Sequence, residues 1–271
     1  MRVKSIKPVV PFYFGREDRK LFGCLHEPHE EGGRRCAVLI CQPIGHEYVN
    51  SHRALRQLAS RLAASGFPVL RFDYYGCGDS SGEIEQGSIT RWLEDISSAV
   101  AELRARTGVF QVCVVGLRLG ATLAALAGSR LENFAGLVLW EPIVSGSDYL
   151  NELVSLHEEM LRFRPRPKRS KNSQVYMEVL GFPLSGFLHA ELEELDLAKT
   201  MERPAPRILV VRNAQADDES GLREHLYQSR ARVDHQKLKA PEIWLPTPDG
   251  SLIVPAQVLQ SVVSWVSGVS L

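Results

Sequence analysis

Apolar runs alternate with amphipathic stretches along the first half of the chain, and this alternation limits the fold more than any other feature. The runs are almost free of charge, as expected for strands covered on both faces of a parallel sheet. They cover residues 36–41, 67–72, 112–115 and 136–140. The stretches between them repeat apolar residues at helical spacing. The pattern predicts an α/β fold with right-handed crossovers and a ligand site at the carboxyl ends of the strands.

The alternation stops after Trp140 and resumes only at Arg207. Before the first run, two strand-like stretches predict a hairpin over residues 9–14 and 21–27. The last part of the chain is expected to supply strands at 208–211 and 243–245 and helices at 220–230 and 255–266. Helix-like pieces at 149–163 and 190–200 lie in the interruption. We therefore predict one core, formed by residues 1–140 and 207–271, with a helical lid insertion over residues 141–206.

Composition and charge exclude several classes of protein. The 271 residues carry 32 Lys and Arg against 32 Asp and Glu, so no overall field draws the chain to nucleic acid or anionic lipid. No apolar run approaches the roughly 20 residues of a membrane span. Pro8 and Pro11 interrupt the first apolar stretch, and the five cysteines are scattered and odd in number. We expect a cytoplasmic protein with reduced thiols, and no residue spacing predicts a metal or cofactor.

The strand 112–115 runs into Gly116-Leu117-Arg118-Leu119-Gly120 and then into a small-residue helix. Strand, tight turn and helix in this order are the setting of the G-x-S-x-G nucleophile elbow. The central residue of such a turn adopts a left-handed conformation, and the glycines on either side let the two backbones approach each other.

Together with the glycine-rich loop 73–82 and the loop 43–47, this turn makes the chain resemble the α/β-hydrolase superfamily. The resemblance covers residues 21–265 and is strongest to the serine-aminopeptidase-like branch and to hydrolase-like proteins of bacterial exosortase systems. It implies the α/β-hydrolase fold, a mostly parallel central sheet flanked by helices, with a helical lid. It also implies a setting in bacterial surface-polymer or secondary-metabolite pathways.

The catalytic positions depart from the family's pattern. Where the resemblance places the serine, the chain has Arg118, which cannot be deprotonated to attack a carbonyl. The family's acid follows the strand 208–211, and Asp217 or Asp218 is placed for it. The family's histidine follows the strand 243–245, but residues 246–255 include none. Loss of a triad member costs several orders of magnitude in rate, so ordinary serine-hydrolase chemistry is not predicted.

An arginine at the elbow has two alternative roles. It lies where backbone N–H groups of the family bind an oxyanion, so it is suited to bind a small anionic or acyl ligand under the lid. The residues expected to line such a site are Gly45, Glu47, Tyr75, Arg118 and Leu119. Alternatively, Arg118 pairs inside the protein with Glu47, Asp73 or Glu141, because a buried arginine must be paired.

A rival hypothesis is a hydrolase or acyl-transfer enzyme with an unorthodox catalytic set. His46 lies in the loop after the first central strand and is a candidate acid or base near neutral pH. Cys77 and Ser80 are candidate nucleophiles, to be paired with Asp217 or Asp218. Ser80 lies in a second match to G-x-S-x-G, but no helix opens directly after it, so a polar loop is the simpler interpretation.

A third hypothesis is a protein-interaction module. Residues 162–171 carry six positive charges and no acid, which is typical of a solvated loop. Such a loop could also dock an acidic partner such as a carrier protein. Nucleic acid is not predicted as a partner, because a single aromatic residue is too little for a stacking platform.

Overall fold

The computed structural model describes residues 8–29, 34–131, 134–162, 177–215, 220–247 and 249–269. Ten strands and eight α-helices, with one short 3-10 helix at Ile84–Gln86, form the described part of the chain. The strands are β1 (Val9–Arg16), β2 (Arg19–His26), β3 (Cys36–Cys41), β4 (Val69–Phe72), β5 (Gln111–Leu117), β6 (Phe134–Trp140), β7 (Met177–Val179), β8 (Phe182–Leu184), β9 (Arg207–Asn213) and β10 (Arg232–Leu238). The helices are α1 (Gly45–Ala64), α2 (Ile89–Thr107), α3 (Leu119–Leu131), α4 (Gly146–Arg162), α5 (Gly186–Glu193), α6 (Leu197–Thr200), α7 (Ser220–Gln228) and α8 (Ala256–Val269).

Eight strands form one sheet in the order β1-β2-β4-β3-β5-β6-β9-β10. The hairpin β1–β2 is antiparallel and joins β4 in antiparallel register, whereas all pairings from β4 to β10 are parallel. The predicted parallel sheet and the predicted N-terminal hairpin are therefore confirmed. The central strand β3 is buried along its whole length, which explains why it has only apolar side chains.

Helices cover both faces of the sheet and create two apolar cores. On one face, α2 and α3 pack through side chains that include Trp92, Ile96 and Leu123. On the other face, α1 and α8 pack through side chains that include Leu55 and Val262. The apolar stripes found in the sequence are the buried faces of these helices. Within the described ranges, none of the helices has the length and apolarity that crossing a membrane requires.

The final sheet strand differs from the expectation. The sequence predicted a strand at 243–245, but the edge strand is β10, and Ile243 and Trp244 lie in a turn after it, where both are buried. β10 pairs with β9 on one side, and no strand in the described part of the chain pairs with its other side. Its residues are therefore partly buried or exposed, and several of them are charged. A search for continuous apolar runs therefore misses it and selects the apolar turn instead.

Between β6 and β9, residues 141–162 and 177–206 contribute no strand to the large sheet. They contain α4, the small hairpin β7–β8, α5 and α6. The first expected helical piece corresponds to α4, the second is divided between α5 and α6, and the hairpin was not expected. We call residues 141–206 the insertion. The basic stretch 162–171 lies outside the described residues except for Arg162, so its role in docking an acidic carrier protein stays a prediction.

The turn between β5 and α3 requires two glycines, as the sequence predicted. A Cβ atom on Gly120 would lie 2.4 Å from the main-chain oxygens of Cys41 and Gln42, at the end of β3. A Cβ atom on Gly116 would lie 2.3 Å from the Cα of Ala121. These distances are far below van der Waals contact, so α3 can start beside β3 only if both side chains are absent.

The substitution Gly120→Ala tests this close approach. We expect it to lower the free energy of unfolding by about 3 kcal/mol, because the backbone of β3 would have to move. Urea denaturation measures the change. The matched control is Gly186→Ala at the start of α5, where a Cβ atom meets no other atom within 4 Å. Equal effects of the two substitutions would contradict the proposed packing.

Candidate functional site

Arg118 occupies the turn between β5 and α3 in the left-handed conformation expected of an elbow residue, with φ of +53°. Its main-chain N–H donates to the carbonyl oxygen of Trp140 at 2.9 Å, and its carbonyl accepts from the N–H of Ala121 at 2.9 Å. These bonds hold the turn at the carboxyl end of the central strands. Parallel α/β sheets bind ligands at this end, so the side chain of Arg118 lies where a functional group is expected.

The guanidinium of Arg118 is paired inside the protein. Its Nε donates to Oε1 of Glu47 at 2.8 Å, and its Nη2 lies 2.7 Å from both carboxylate oxygens of Glu152. Only 6% of Arg118 and 1% of Glu47 are exposed, whereas 38% of the Glu152 side chain is exposed. Of the two roles predicted for Arg118, internal pairing is therefore the one that the structure contains, with Glu47 as one partner.

Glu152 is the partner that sequence reasoning missed. It lies on α4 of the insertion, three residues after Tyr149, and residues three apart share one face of a helix. The hydroxyl of Tyr149 donates to Oε2 of Glu47 at 3.1 Å. The spacing of Tyr149 and Glu152 was a possible signal, but nothing in the sequence connects that face of α4 to the elbow.

Two aromatic rings enclose the guanidinium. Its Cζ lies 5.5 Å from the ring centre of Tyr149 and 4.9 Å from that of Trp244, which are cation–π distances. Trp244 belongs to the turn after β10, and the resemblance expects the family's histidine just beyond it, in residues 246–255. The side-chain amide of Asn50 donates to the carbonyl of Trp244 at 2.9 Å and helps to fix this segment. The described residue that this segment places against Arg118 is therefore a tryptophan.

Burial and pairing act in opposite directions on the charges of this cluster. Burial tends to lower the pKa of Arg118, but the carboxylates of Glu47 and Glu152 outweigh it and raise that pKa. Burial raises the pKa of Glu47, and the neighbouring guanidinium counteracts the rise. Each charge therefore depends on the other, since either one alone would be a buried and uncompensated ion.

The other two acids named as alternatives to Glu47 are bonded elsewhere. Asp73 accepts hydrogen bonds from the amide of Gln42, the hydroxyl of Tyr48 at 3.3 Å and the main-chain N–H of Asp79 at 3.0 Å. It holds the glycine-rich loop 73–82 in place. The other acid, Glu141, accepts from the main-chain N–H of Asn213 and from Nη1 of Arg212 at 3.4 Å.

His46 lies in the first turn of α1 and not in a loop, because α1 begins at Gly45. It is 9% exposed, and its Nε2 atom is enclosed with no hydrogen-bond partner among the described residues. Burial, together with the charge of Arg118, lowers its pKa to about 4. The ring is therefore neutral at neutral pH and keeps an unsatisfied nitrogen near the elbow.

A small cavity of about 40 Å³ lies between the start of α1 and the insertion. Gly45 and His46 line it from the core, and most of the other lining residues are apolar. These are Ile44, Ile84, Tyr149, Leu153, Val179, Phe182, Pro183, Leu184 and Leu188. The apolar lining suits a hydrocarbon group better than a charged one.

Four of the five predicted binding residues do not line this cavity, and only Gly45 does. Arg118 and Glu47 belong to the ion pair. Leu119 is fully buried as the first residue of α3. Tyr75 lies at a different groove, where its hydroxyl donates to the side chain of Gln86 at 3.0 Å and the guanidinium of Arg91 lies 4.7 Å from its ring centre. Its position next to Asp73 in sequence does not bring it to the elbow.

The alternative nucleophiles are not activated. Burial raises the pKa of Cys77 to about 12, so its thiol stays protonated. The hydroxyl of Ser80 donates to the carbonyl of Asp73 at 2.6 Å and accepts from the N–H of Phe22 at 2.8 Å. It is thus committed to the loop, as the simpler interpretation expected. Asp217 and Asp218 lie outside the described residues. The described part of the chain contains no group of three His, Cys, Asp or Glu arranged to hold a metal ion.

Residues 37–178, just over half of the chain, match the family described as "Serine aminopeptidase, S33". The chain belongs to the serine aminopeptidase family. Its sequence matches no curated protein at a significant level. Many solved structures share the fold of this family member.

Three of these structures show how fully the fold is shared. Est1E from Butyrivibrio proteoclasticus, solved with ferulic acid bound, is 17% identical with a TM-score of 0.69, over 95% of this chain and 98% of Est1E. The Pyrococcus furiosus esterase Pf2001 is 15% identical with a TM-score of 0.65, over 97% of this chain and 90% of the esterase. Proline iminopeptidase from Mycobacterium smegmatis is 12% identical with a TM-score of 0.63, over 96% of this chain and 99% of the iminopeptidase. At these identities the likeness establishes the α/β-hydrolase fold.

Removing one carboxylate at a time tests the pairing of Arg118. We expect Glu47→Gln to lower the free energy of unfolding by about 3 kcal/mol, because it leaves a buried guanidinium short of one charge. Glu152→Gln is the matched control on the same guanidinium, and we expect a loss of about 1 kcal/mol because Glu152 is partly exposed. Chemical denaturation measures both. Equal losses would show that Glu47 is not the dominant partner.

The neutral His46 predicts a loss of stability in acid. Its folded pKa of about 4 lies below the ordinary value of 6.5, so the unfolded chain takes up a proton at higher pH than the folded chain does. Stability due to this difference is present above pH 6.5 and is lost as the pH falls towards 4, by about 3 kcal/mol in total. Denaturation of wild type and His46→Gln across this range should show a shallower pH dependence in the variant. Parallel curves would mean that His46 titrates normally.

Proposed function

We propose that this chain is a non-hydrolytic member of its family and binds a small apolar or acyl molecule in the cavity beside the elbow. The observation that carries the proposal is the 2.8 Å contact between Nε of Arg118 and Glu47. A guanidinium that is buried and paired at the elbow can neither act as a nucleophile nor leave space for one.

The last loop supports the same proposal. In the family, a histidine in this region removes the proton from the nucleophile, and its loss costs several orders of magnitude in rate. Here the segment after β10 brings the ring of Trp244 to the guanidinium. A large ring packed on an ion pair stabilises the cluster and supplies no base.

The chemistry of the cavity favours an uncharged ligand. Leu153, Phe182 and Leu188 offer apolar contacts, and the neutral ring of His46 lines the cavity with its Nε2 atom enclosed. An anionic head group would have to displace Glu152 from Nη2 of Arg118, since the two carboxylates already neutralise the guanidinium. We therefore propose an uncharged acyl or alkyl ligand, and we expect a ligand with an anionic head group to bind more weakly.

The insertion over residues 141–206 is proposed as the lid of this cavity. Leu153 on α4, Phe182 on β8 and Leu188 on α5 all contribute to the lining. The contact of Glu152 with Arg118 attaches α4 to the core at the elbow. A ligand that enters between the insertion and α1 would be covered by these three elements.

Filling the cavity tests the proposal. We expect hexanol to raise the melting temperature of the wild type, because a ligand that binds the native state stabilises it. Leu153→Phe should lower the apparent affinity for hexanol about tenfold and so reduce the rise in melting temperature, because the added ring occupies the cavity. The matched control is Val154→Phe, at a more exposed position of the same helix. An equal response of both variants would place the binding elsewhere and overturn the proposal.

Hexanoate tests the weaker case of an anionic head group. We expect hexanoate to bind the wild type more weakly than hexanol does, because the Glu152 carboxylate repels it. Glu152→Gln should improve the binding of hexanoate and leave that of hexanol nearly unchanged. Tighter binding of hexanoate than of hexanol by the wild type would instead favour an anionic ligand at Arg118.

A second candidate function is a hydrolase or acyl-transfer enzyme that uses His46. It is favoured by one observation, the position of the neutral His46 ring in the lining of the cavity. Short p-nitrophenyl esters, thioesters and aminoacyl amides, together with a fluorophosphonate probe, test this candidate. We expect neither turnover nor labelling. Turnover that is lost in His46→Gln would establish this second candidate in place of the first.

A further inference from the structure

A second buried arginine has no acidic partner. Arg71 on β4 is 8% exposed, nearly as buried as Arg118. Among the described residues, no carboxylate oxygen lies within 4.0 Å of its guanidinium, although Arg118 has two acids at that range. A buried guanidinium is normally paired with an acid, so the charge of Arg71 calls for a counterion.

The one hydrogen-bond partner of Arg71 in the described residues is itself uncharged. Nε of Arg71 donates to Nε2 of His26 at 3.3 Å, so this ring nitrogen carries no proton. Burial, with the charges of Arg71 and Arg56, lowers the pKa of His26 to about 4. His26 therefore satisfies one N–H group of Arg71 and does nothing to balance its charge.

The far end of the guanidinium stays available. Neither Nη atom of Arg71 makes a hydrogen bond within the described part of the chain, and neither is enclosed in the way that Nε2 of His46 is. The strand register explains the geometry. Arg71 lies opposite Cys24 of the antiparallel strand β2, near the side of the sheet where the N-terminal hairpin is added, and Cys24 is only partly buried.

The surroundings add positive charge and hydrogen-bond donors. Tyr48, His52 and Arg56 follow each other at intervals of four on α1, so they form one stripe of that helix. The charges of Arg71 and Arg56 both act on His52 and oppose its protonation, together with burial. The charge of Asp73 acts on Arg71, but its carboxylate is already bonded to Gln42, Tyr48 and Asp79.

We infer that Arg71, with Arg56 at the rim, binds a small oxyanion between α1 and the β2–β4 pair. The two free Nη groups offer the parallel N–H donors that a carboxylate or a phosphate group accepts. The ring centres of Tyr48 and His52 lie 5.7 Å apart on the same stripe of α1, and the Tyr48 hydroxyl is bonded to Asp73. The ligand class is therefore a compound with one exposed carboxylate or phosphate group, recognised by charge and by the planar fork.

This site is distinct from the elbow. Arg118 on the β5–α3 turn is bonded to Glu47 and Glu152, whereas Arg71 on β4 is bonded to His26, so the two arginines share no hydrogen-bond partner. The inference does not depend on the apolar cavity or on the absence of hydrolysis. A failure of the hexanol experiment would leave it unaffected.

Titration with inorganic phosphate and with acetate, each against sodium chloride at the same ionic strength, tests the site in the full-length protein. We expect a rise in melting temperature of about 3–5 °C for each tenfold increase above the dissociation constant. Isothermal titration calorimetry gives the affinity. A response to phosphate alone, to acetate alone or to both supports the site and identifies the preferred group. No response to either anion would overturn it.

Three variants connect the response to these residues. Arg71→Gln should abolish anion binding, and Arg71→Lys should weaken it about tenfold because it keeps the charge and loses the fork. Arg56→Gln lies on an exposed position and should fold normally while binding several-fold more weakly, so the test survives if Arg71→Gln is unstable. Arg53→Gln is the matched control, because it removes one positive charge from α1 at a residue that does not contribute to the pKa shifts of His26 and His52. It should leave anion binding unchanged. Equal binding by wild type, Arg71→Lys and Arg56→Gln would refute the assignment.

Discussion

The pairing of Arg118 with Glu47 and Glu152 is the constraint on which the rest of the site depends. A guanidinium in the tight turn between β5 and α3 cannot turn to solvent, because the turn holds it at the centre of the sheet. It must find negative charge inside the protein. Glu47 in the first turn of α1 supplies one carboxylate from the core, and Glu152 on α4 supplies the second from the insertion. The ion pair therefore connects three separate segments of the chain.

This arrangement changes what the family's scaffold presents at the carboxyl ends of its strands. The backbone keeps the elbow geometry, including the left-handed residue and the two close glycine contacts. The polar cluster that results is internally neutralised and packed between the rings of Tyr149 and Trp244. A mostly apolar cavity lies to one side, between His46 and the insertion. This is why we propose an apolar ligand at this end of the sheet.

The two buried arginines show how the same residue type leads to different inferences. Arg118 is surrounded by carboxylates and contributes to structure through them. Arg71 is equally buried, but its neighbour is a neutral histidine and its nearest acid is engaged in holding a loop. Since a charge in a protein interior needs compensation, the arginine without an internal acid is the better candidate for an external anion.

Much of the fold could be predicted from the sequence, and the reason is physical. Strands such as β3 and β5 are buried on both faces, so only apolar residues fit them, and the turn after β5 requires glycines whatever residue lies at its centre. The sequence by itself therefore determined the α/β architecture, the insertion between β6 and β9 and the elbow at Arg118. Only the tertiary structure decided that Glu152 pairs with Arg118, that Trp244 packs on the same guanidinium, and that β10 is only partly buried. Contacts between distant segments depend on how α4 and the last loop are oriented over the sheet, and several acids in the chain satisfied the same local pattern as the true partners.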